Sequence, residues 1–245
     1  VRHLAPHARL IENSQNLGFG RANNLALESI QTRYALLLNP DCEARPDTVV
    51  ALLRAAARHP DAALLSPLLY DRPGVLGLCY RPAFFRPQPK TLLPPEGDVC
   101  SDFLSGAALL LRMAPLRALG FFDPWFFLYG EDDDLCLRVR AAGHSLVLVA
   151  DAAVVHRPKQ SSAPSVGMAR LRAYCLTVSK LYLMHKHMDA SALRRQRRRA
   201  LTGAAADLLV GLITNRPERR ARGRGRWLAA WHAPEWLSAP RCPRP

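Results

Sequence analysis

The sequence predicts an α/β domain built on a largely parallel sheet, followed by a basic helical extension. Three observations carry that expectation. Apolar runs of strand length at Tyr34–Leu38 and Ala62–Ser66 flank a segment with helical apolar spacing, the alternation typical of α/β domains. A strongly aromatic run, Gly120 to Tyr129, stops at Gly130 and four consecutive carboxylates, Glu131 to Asp134, which open a helix closed by Gly143. The charge is also uneven: residues 186–245 hold 14 Lys or Arg against 4 Asp or Glu, so this last quarter supplies +10 of the net +14.

Taken in order, the chain opens with a short strand around Arg9 to Glu12 and a loop rich in Asn and Gly, Asn13 to Arg21. A helix follows from Ala22 to Ile30. Glycine ahead of a helix lets backbone N–H groups approach a phosphate, although an ordinary turn has the same composition. The strand Tyr34–Leu38 reads as buried on both faces and ends in Asn39-Pro40-Asp41. Pro46 opens a helix with Val49, Leu52, Leu53 and Ala56 on its apolar side, and Pro60 ends it. Ligands of open α/β sheets gather beyond the carboxyl ends of strands, where Asp41 lies.

Residues 71–99 are dense in proline and read as a long irregular excursion forming a wall of the site. Phe103 to Arg112 returns as one strand, with Gly106 either a simple bulge or a place where a side chain would obstruct a ligand. Strands at Ser145–Val149 and Ala152–His156 complete the sheet, the second ending in a histidine.

The acidic cluster has an ordinary explanation, because carboxylates in a first helical turn complement the macrodipole. One or two acids suffice for that, however, and adjacent like charges raise one another's pKa. The aromatic approach also predicts that at least one acid faces a poorly hydrated pocket, a setting that suits a general base.

Length and a composition of 49% hydrophobic and 22% charged residues fit one main globular domain with an appendage. No apolar run is long enough to span a bilayer, since Leu201–Ile213 is short and contains Asp207. There is no secretory signal pattern at the start, and six scattered cysteines without a CxxC pair argue for a reducing compartment and against structural zinc. The expected location is cytoplasmic, at most peripheral on the inner face of the plasma membrane.

Five blocks in order, NLGFGRANN (Asn16–Asn24), LLLNPD (Leu36–Asp41), SGAALLLR (Ser105–Arg112), GFFDPWFFLYGEDDDLCLR (Gly120–Arg138) and AAVVH ending at His156, resemble family 2 glycosyltransferases. The likeness is greatest to their rhamnosyltransferase-like branch. It implies an inverting enzyme of GT-A (Rossmann-like) fold over residues 1–160, with a mixed, mostly parallel sheet flanked by helices and a helical, Arg-rich extension over 161–245. It also implies a nucleotide-diphosphate sugar donor, a divalent metal (Mg or Mn) and transfer to a glycan or polyprenyl-diphosphate-linked acceptor in cell-surface polysaccharide synthesis.

Residue by residue, Asp41 matches the metal-binding acid of the family's DxD-type motif and Asn39 stands in place of its first acid. His156 matches a histidine that completes the metal site in several relatives. Asp132 matches the base that deprotonates the acceptor, with Glu131 beside it. Asn16, Gly18, Arg21, Asn39 and Gly106 are the expected donor contacts. The family's first strand, helix and second strand, which hold the base and ribose, have no counterpart here. A truncated, non-catalytic relative serving as a binding partner therefore stays open beside the enzyme.

In the tail, Met168–His187 reads as a helix with Leu171, Tyr174, Cys175, Val178, Leu181 and Tyr182 on one apolar side. It packs on the catalytic domain or contacts membrane. Basic clusters at 194–199 and 216–226 beside apolar and tryptophan-rich segments suit an anionic membrane surface. Arg and Ala are abundant throughout the chain, so genomic composition bias is an alternative source of part of the charge. Nucleic acid is not expected as a partner, since no recognised motif accompanies the charge. A glycosidase could also use paired carboxylates, and would need neither metal nor nucleotide.

Overall fold

The computed structural model describes residues 3, 5–72, 74–77, 80–81, 93–157 and 165–237. The chain begins its regular structure with α1 (Phe19–Leu27), β1 (Tyr34–Leu38), β2 (Cys42–Ala44), α2 (Thr48–Arg58) and β3 (Ala62–Arg72). Four two-residue strands follow: β4 (Val75–Leu76), β5 (Tyr80–Arg81), β6 (Val99–Cys100) and β7 (Phe103–Leu104). Next come β8 (Ala108–Arg112), α3 (Met113–Leu119), α4 (Glu131–Ala141) and β9 (Ser145–His156). Helices α5 (Val166–His187), α6 (Ala190–Ile213), α7 (Pro217–Trp231) and α8 (Ala233–Trp236) complete the described chain.

The main sheet runs β1-β8-β3-β9-β2, and the expected predominance of parallel pairs is corrected. Strands β1, β3 and β9 do share a direction, but β8 runs opposite and lies between β1 and β3. Among the described strands, parallel pairing is confined to β3 and β9. The fold class itself, a mixed α/β sheet flanked by helices, stands.

Local chemistry explains several departures from the sequence reading. No strand forms at Arg9 to Glu12, and α1 starts three residues before the expected Ala22. The strand beginning at Ala62 continues through Pro67, because a register shift between Pro67 and Leu68 lets residues 150–152 of β9 bulge away. A proline, lacking an N–H, is tolerated at such an irregularity. Asp98 Oδ1 accepts the Ala150 N–H of the bulge at 3.1 Å, so β9 remains one strand rather than the expected two. In α2, Leu52, Ala55 and Ala56 are buried, whereas Val49 and Leu53 are exposed. Of the proline-rich segment, Pro73, Pro82, Pro87 and Pro89 lie outside the described residues.

One face of the sheet packs Leu52, Ala55 and Ala56 of α2 against Leu65, Leu110, Val147 and Val149. Arg112 at the end of β8 fastens that layer. Its guanidinium donates to the carbonyls of Ala62 (2.8 Å), Ala56 (2.7 Å) and His59 (3.1 Å) and to Tyr34 Oη (2.9 Å). A cation at the carboxyl end of α2 satisfies orphan carbonyls and complements the helix dipole. The other face buries the aromatic run and α3 to α5 in a larger core that includes Phe122, Trp125, Phe126, Leu135, Tyr174 and Val178.

The Asn16–Asn24 block is built to hold the aromatic segment. Asn24 exchanges two hydrogen bonds with the Phe122 backbone, at 2.8 and 3.0 Å, and Arg21 Nε donates to the Pro124 carbonyl at 2.5 Å. Gly18 has φ +81°, and a Cβ there would lie 2.0 Å from the Phe127 carbonyl oxygen. Both the backbone conformation and the space therefore require glycine. Gly18→Ala is expected to destabilise the fold by more than about 1 kcal/mol, read as a lower urea midpoint at unchanged slope.

Candidate active site

Antiparallel pairing of β2 with the end of β9 sets Cys42 opposite His156. Asp41, one residue earlier, is thereby brought within 3.4 Å of His156 Nε2 through its Oδ1. One ligand atom each from Asp41, Cys42 and His156 lies within 4.8 Å of the others. The expected pair is thus joined in space, and Cys42 is a neighbour that sequence reading missed. Its position directly after Asp41 was the available signal.

The donor set fits a divalent cation. Carboxylate oxygen with imidazole nitrogen suits Mn²⁺ better than Mg²⁺, which favours all-oxygen shells. Burial, reinforced by the Asp41 charge, pushes the Cys42 thiol up to about 11, so the sulfur is neutral near pH 7. Its Sγ lies 3.4 Å from the Ala107 carbonyl.

The second half of the site is the start of α4. Tyr129 and Gly130 both have positive φ, 68° and 84°, which turns the chain sharply so that the helix opens at Glu131. A bulky residue at positive φ is strained, and such strain persists only where surrounding packing enforces it. Asp132 accepts the Gly106 N–H on Oδ2 at 3.2 Å and the Asp133 N–H on Oδ1 at 3.0 Å. Gly106 is not a bulge within a strand: the expected strand from Phe103 breaks into β7 and β8, and Gly106 lies in the turn between. A Cβ on it would come 3.3 Å from the Phe19 ring and 3.4 Å from Asp132 Cβ, a tight fit against the acid.

The next residue closes the link between the two halves. The Ala107 carbonyl accepts from the Asn39 N–H at 2.9 Å as well as facing Cys42. Two consecutive residues, Gly106 and Ala107, therefore hold Asp132 on one side and the Asn39–Cys42 corner on the other. Asn39 contributes here through its backbone.

The remaining expected donor contacts sit differently. The Gly18 N–H, which the loop composition had offered to a phosphate, is taken by Asn16 Oδ1 at 2.9 Å. Arg21 donates its Nε–H to the Pro124 carbonyl.

The four acids divide into unlike pairs. Asp132 and Asp133 are half-buried, while Glu131 and Asp134 are buried, at 5% and 0% exposure. Burial, then the neighbouring Asp132, pushes the Glu131 carboxyl up to about 8, and its Oε2 has no hydrogen-bond partner among the described residues. Burial alone would raise Asp134 too, but His187, Lys186 and Arg138 outweigh it and hold the group down to about 2. The three contacts measure 2.7, 2.7 and 2.8 Å. The aromatic expectation is met in part: Phe122, Trp125 and Phe126 are core, and Phe121, Phe127 and Tyr129 are half-buried.

The mixed sheet that carries this carboxylate–imidazole corner and the acid at a helix start is similar in fold to solved glycosyltransferases. A mannosyltransferase from Pyrobaculum calidifontis, solved with GDP-Man and Mn²⁺, superposes with a TM-score of 0.51 over 94% of this chain and 70% of that one, at 16% identity. By sequence, the model described as glycosyl transferase family 2 matches residues 1–114, just under half of the chain. An N-acetylglucosaminyl-diphospho-decaprenol L-rhamnosyltransferase of Mycobacterium tuberculosis is 31% identical over 189 residues, 64% of this chain and 61% of that protein. Rhamnosyltransferase WbbL of Escherichia coli is 26% identical over 57% of this chain and 60% of that protein. The matches thus span about 60% of the length of these curated relatives.

Two outcomes follow from the unlike acids. Asp134→Asn is expected to cost about 3–5 kcal/mol in urea unfolding, because it leaves Arg138 and Lys186 facing a neutral group. Glu131 has a raised folded pKa, so its contribution to stability is present below about pH 4.5 and is lost as pH rises toward about 8. The urea midpoint of Glu131→Gln should therefore gain on wild type between pH 5 and pH 9.

Proposed function

We propose that this chain transfers a sugar from a nucleotide-diphosphate donor to a hydroxyl of a glycan or lipid-linked acceptor, with inversion. The observation that carries the reading is the shared Gly106–Ala107 turn, which places an acid at a helix start and a candidate metal corner side by side. Two of the chain's relatives are rhamnosyltransferases, which favours rhamnose as the sugar, and the name of one of them includes N-acetylglucosaminyl-diphospho-decaprenol, which favours a lipid-linked acceptor.

Asp41 and His156 would hold the divalent ion, whose chemistry when bound is to neutralise charge on the departing nucleoside diphosphate. Asp132 takes the proton from the acceptor hydroxyl. Backbone N–H groups on both of its oxygens fix the carboxylate in one orientation, which an in-line attack requires. Glu131, protonated near neutral pH, adds no charge to the site and keeps the acid beside it from facing a second carboxylate.

These roles separate by substitution. Asp132→Asn should lower turnover by about 10²–10⁴-fold, the usual contribution of a positioned base, while Mn²⁺-dependent binding of dTDP, UDP or GDP persists in calorimetry. Glu131→Gln, which mimics the neutral acid, should lose less than about tenfold. Turnover intact in Asp132→Asn would remove it from the role of base. Asp41→Ala should abolish the metal-dependent nucleotide binding.

A further inference from the structure

The outward surface of α6 changes character along its length. Its second half presents Thr202, Ala205, Ala206, Leu209, Leu212 and Ile213 to solvent or half to solvent, at spacings of three and four residues that align them on one face. No charge interrupts that stripe. Leu209, Leu212 and Ile213 are 60%, 64% and 75% exposed, more than any other large apolar side chain in the described helices. A soluble surface rarely gathers such residues without a use.

The surroundings are strongly cationic. Residues 190–231, the α6–α7 pair, contain eleven arginines against Asp207 and Glu218, a net of +9. Asp207 is buried among Arg219, Arg222 and Arg226, so much of the remaining charge is turned outward. Arg198 and Arg199 lie one turn before Thr202, and Arg216 follows Ile213 by three residues, so cations bracket the stripe at both ends. Arg199 also lines a groove of about 750 Å³ between α5, α6 and α7, together with Arg172, Lys180, Arg222 and Arg226. The Arg222 Nε is buried there without a partner among the described residues.

We infer that this face docks on an anionic lipid bilayer. Leu209, Leu212 and Ile213 enter the acyl boundary while the flanking arginines receive headgroup phosphates. An apolar stripe bracketed by arginine matches that layered chemistry, and charge complementarity requires an anionic partner. Nucleic acid would need the cations without a purpose for the stripe. No helix among the described residues is long and apolar enough to cross a membrane, so the contact is peripheral. The inference goes beyond the sugar-transfer reading and stands without it, because docking requires neither donor nor metal.

The test is co-sedimentation of the full chain with vesicles of phosphatidylglycerol and phosphatidylcholine, or of phosphatidylcholine alone. Sedimentation is expected with the anionic vesicles and not with the neutral ones. Leu209→Ser/Leu212→Ser/Ile213→Ser should weaken it by about tenfold or more, given the apolar area removed from the acyl boundary. Arg198→Gln/Arg199→Gln/Arg216→Gln should weaken it too, and far-UV circular dichroism checks that both variants fold. Equal binding to neutral vesicles, sedimentation unchanged in both variants, or binding to duplex DNA without binding to vesicles would overturn the inference. So would a wild-type dimer that the serine substitutions make monomeric, since the stripe would then belong to a second copy.

Discussion

The buried carboxylate of Asp134 is the constraint on which the rest of the site depends. It receives Arg138 from its own helix and Lys186 and His187 from the end of α5. Arg138 also donates to the carbonyls of Leu119, Gly120 and Phe121, while Lys186 reaches Asp123 at 2.7 Å. One acid therefore draws together α4, the last turn of α5 and both ends of the aromatic segment's first turn. A buried ion cluster of this kind contributes less to net stability than to register, because desolvation offsets much of its attraction. Here the register matters, since Asp132 is two residues away on the same helical turn.

Four adjacent carboxylates would repel one another if all were ionised and equally solvated. The fold removes that conflict by environment. Burial pushes the Glu131 carboxyl up, hydrogen bonds from His187, Lys186 and Arg138 hold the Asp134 carboxyl down, and Asp132 and Asp133 between them are only half-buried. A run that looks in sequence like one acidic feature is thus two half-buried acids held between two buried ones whose pKa values are pushed in opposite directions. Environment pushing the pKa values of neighbouring carboxyls apart is the general way that such pairs acquire different tasks.

Much of this was legible in the sequence, for identifiable reasons. The strand at Tyr34–Leu38 and the helix opening at Glu131 were readable because a bounded apolar run and an acidic first turn are local signals. The direction of β8 was not, since an apolar run has the same pattern whether it pairs parallel or antiparallel. Ordered family blocks led to Asp41, His156 and Asp132, but the way they meet depends on the β2–β9 register and on a turn at Gly106–Ala107 that composition does not mark. The Asn16–Asn24 block shows the converse. Its residue types suggested a phosphate loop, whereas the contacts that occupy Asn16, Arg21 and Asn24 are to one another's neighbours and to residues a hundred positions away.

Helix α5 couples the basic helices to the acids. Tyr174 and Cys175 are buried in the main core, Trp125 stacks on Tyr182 at 3.6 Å between centroids, and Ser179 donates to the Leu128 carbonyl at 3.1 Å. On its other side α5 packs against α7 so closely that a Cβ on Gly225 would lie 2.4 Å from the Arg170 carbonyl oxygen. The segment that turns into the acidic helix, 123–130, is therefore held between α1 and α5, and α5 is held by α7. The α6–α7 pair is thus joined to the segment that carries Asp132 through packed helices, and α5 is the element common to the arginine-rich face and the proposed base.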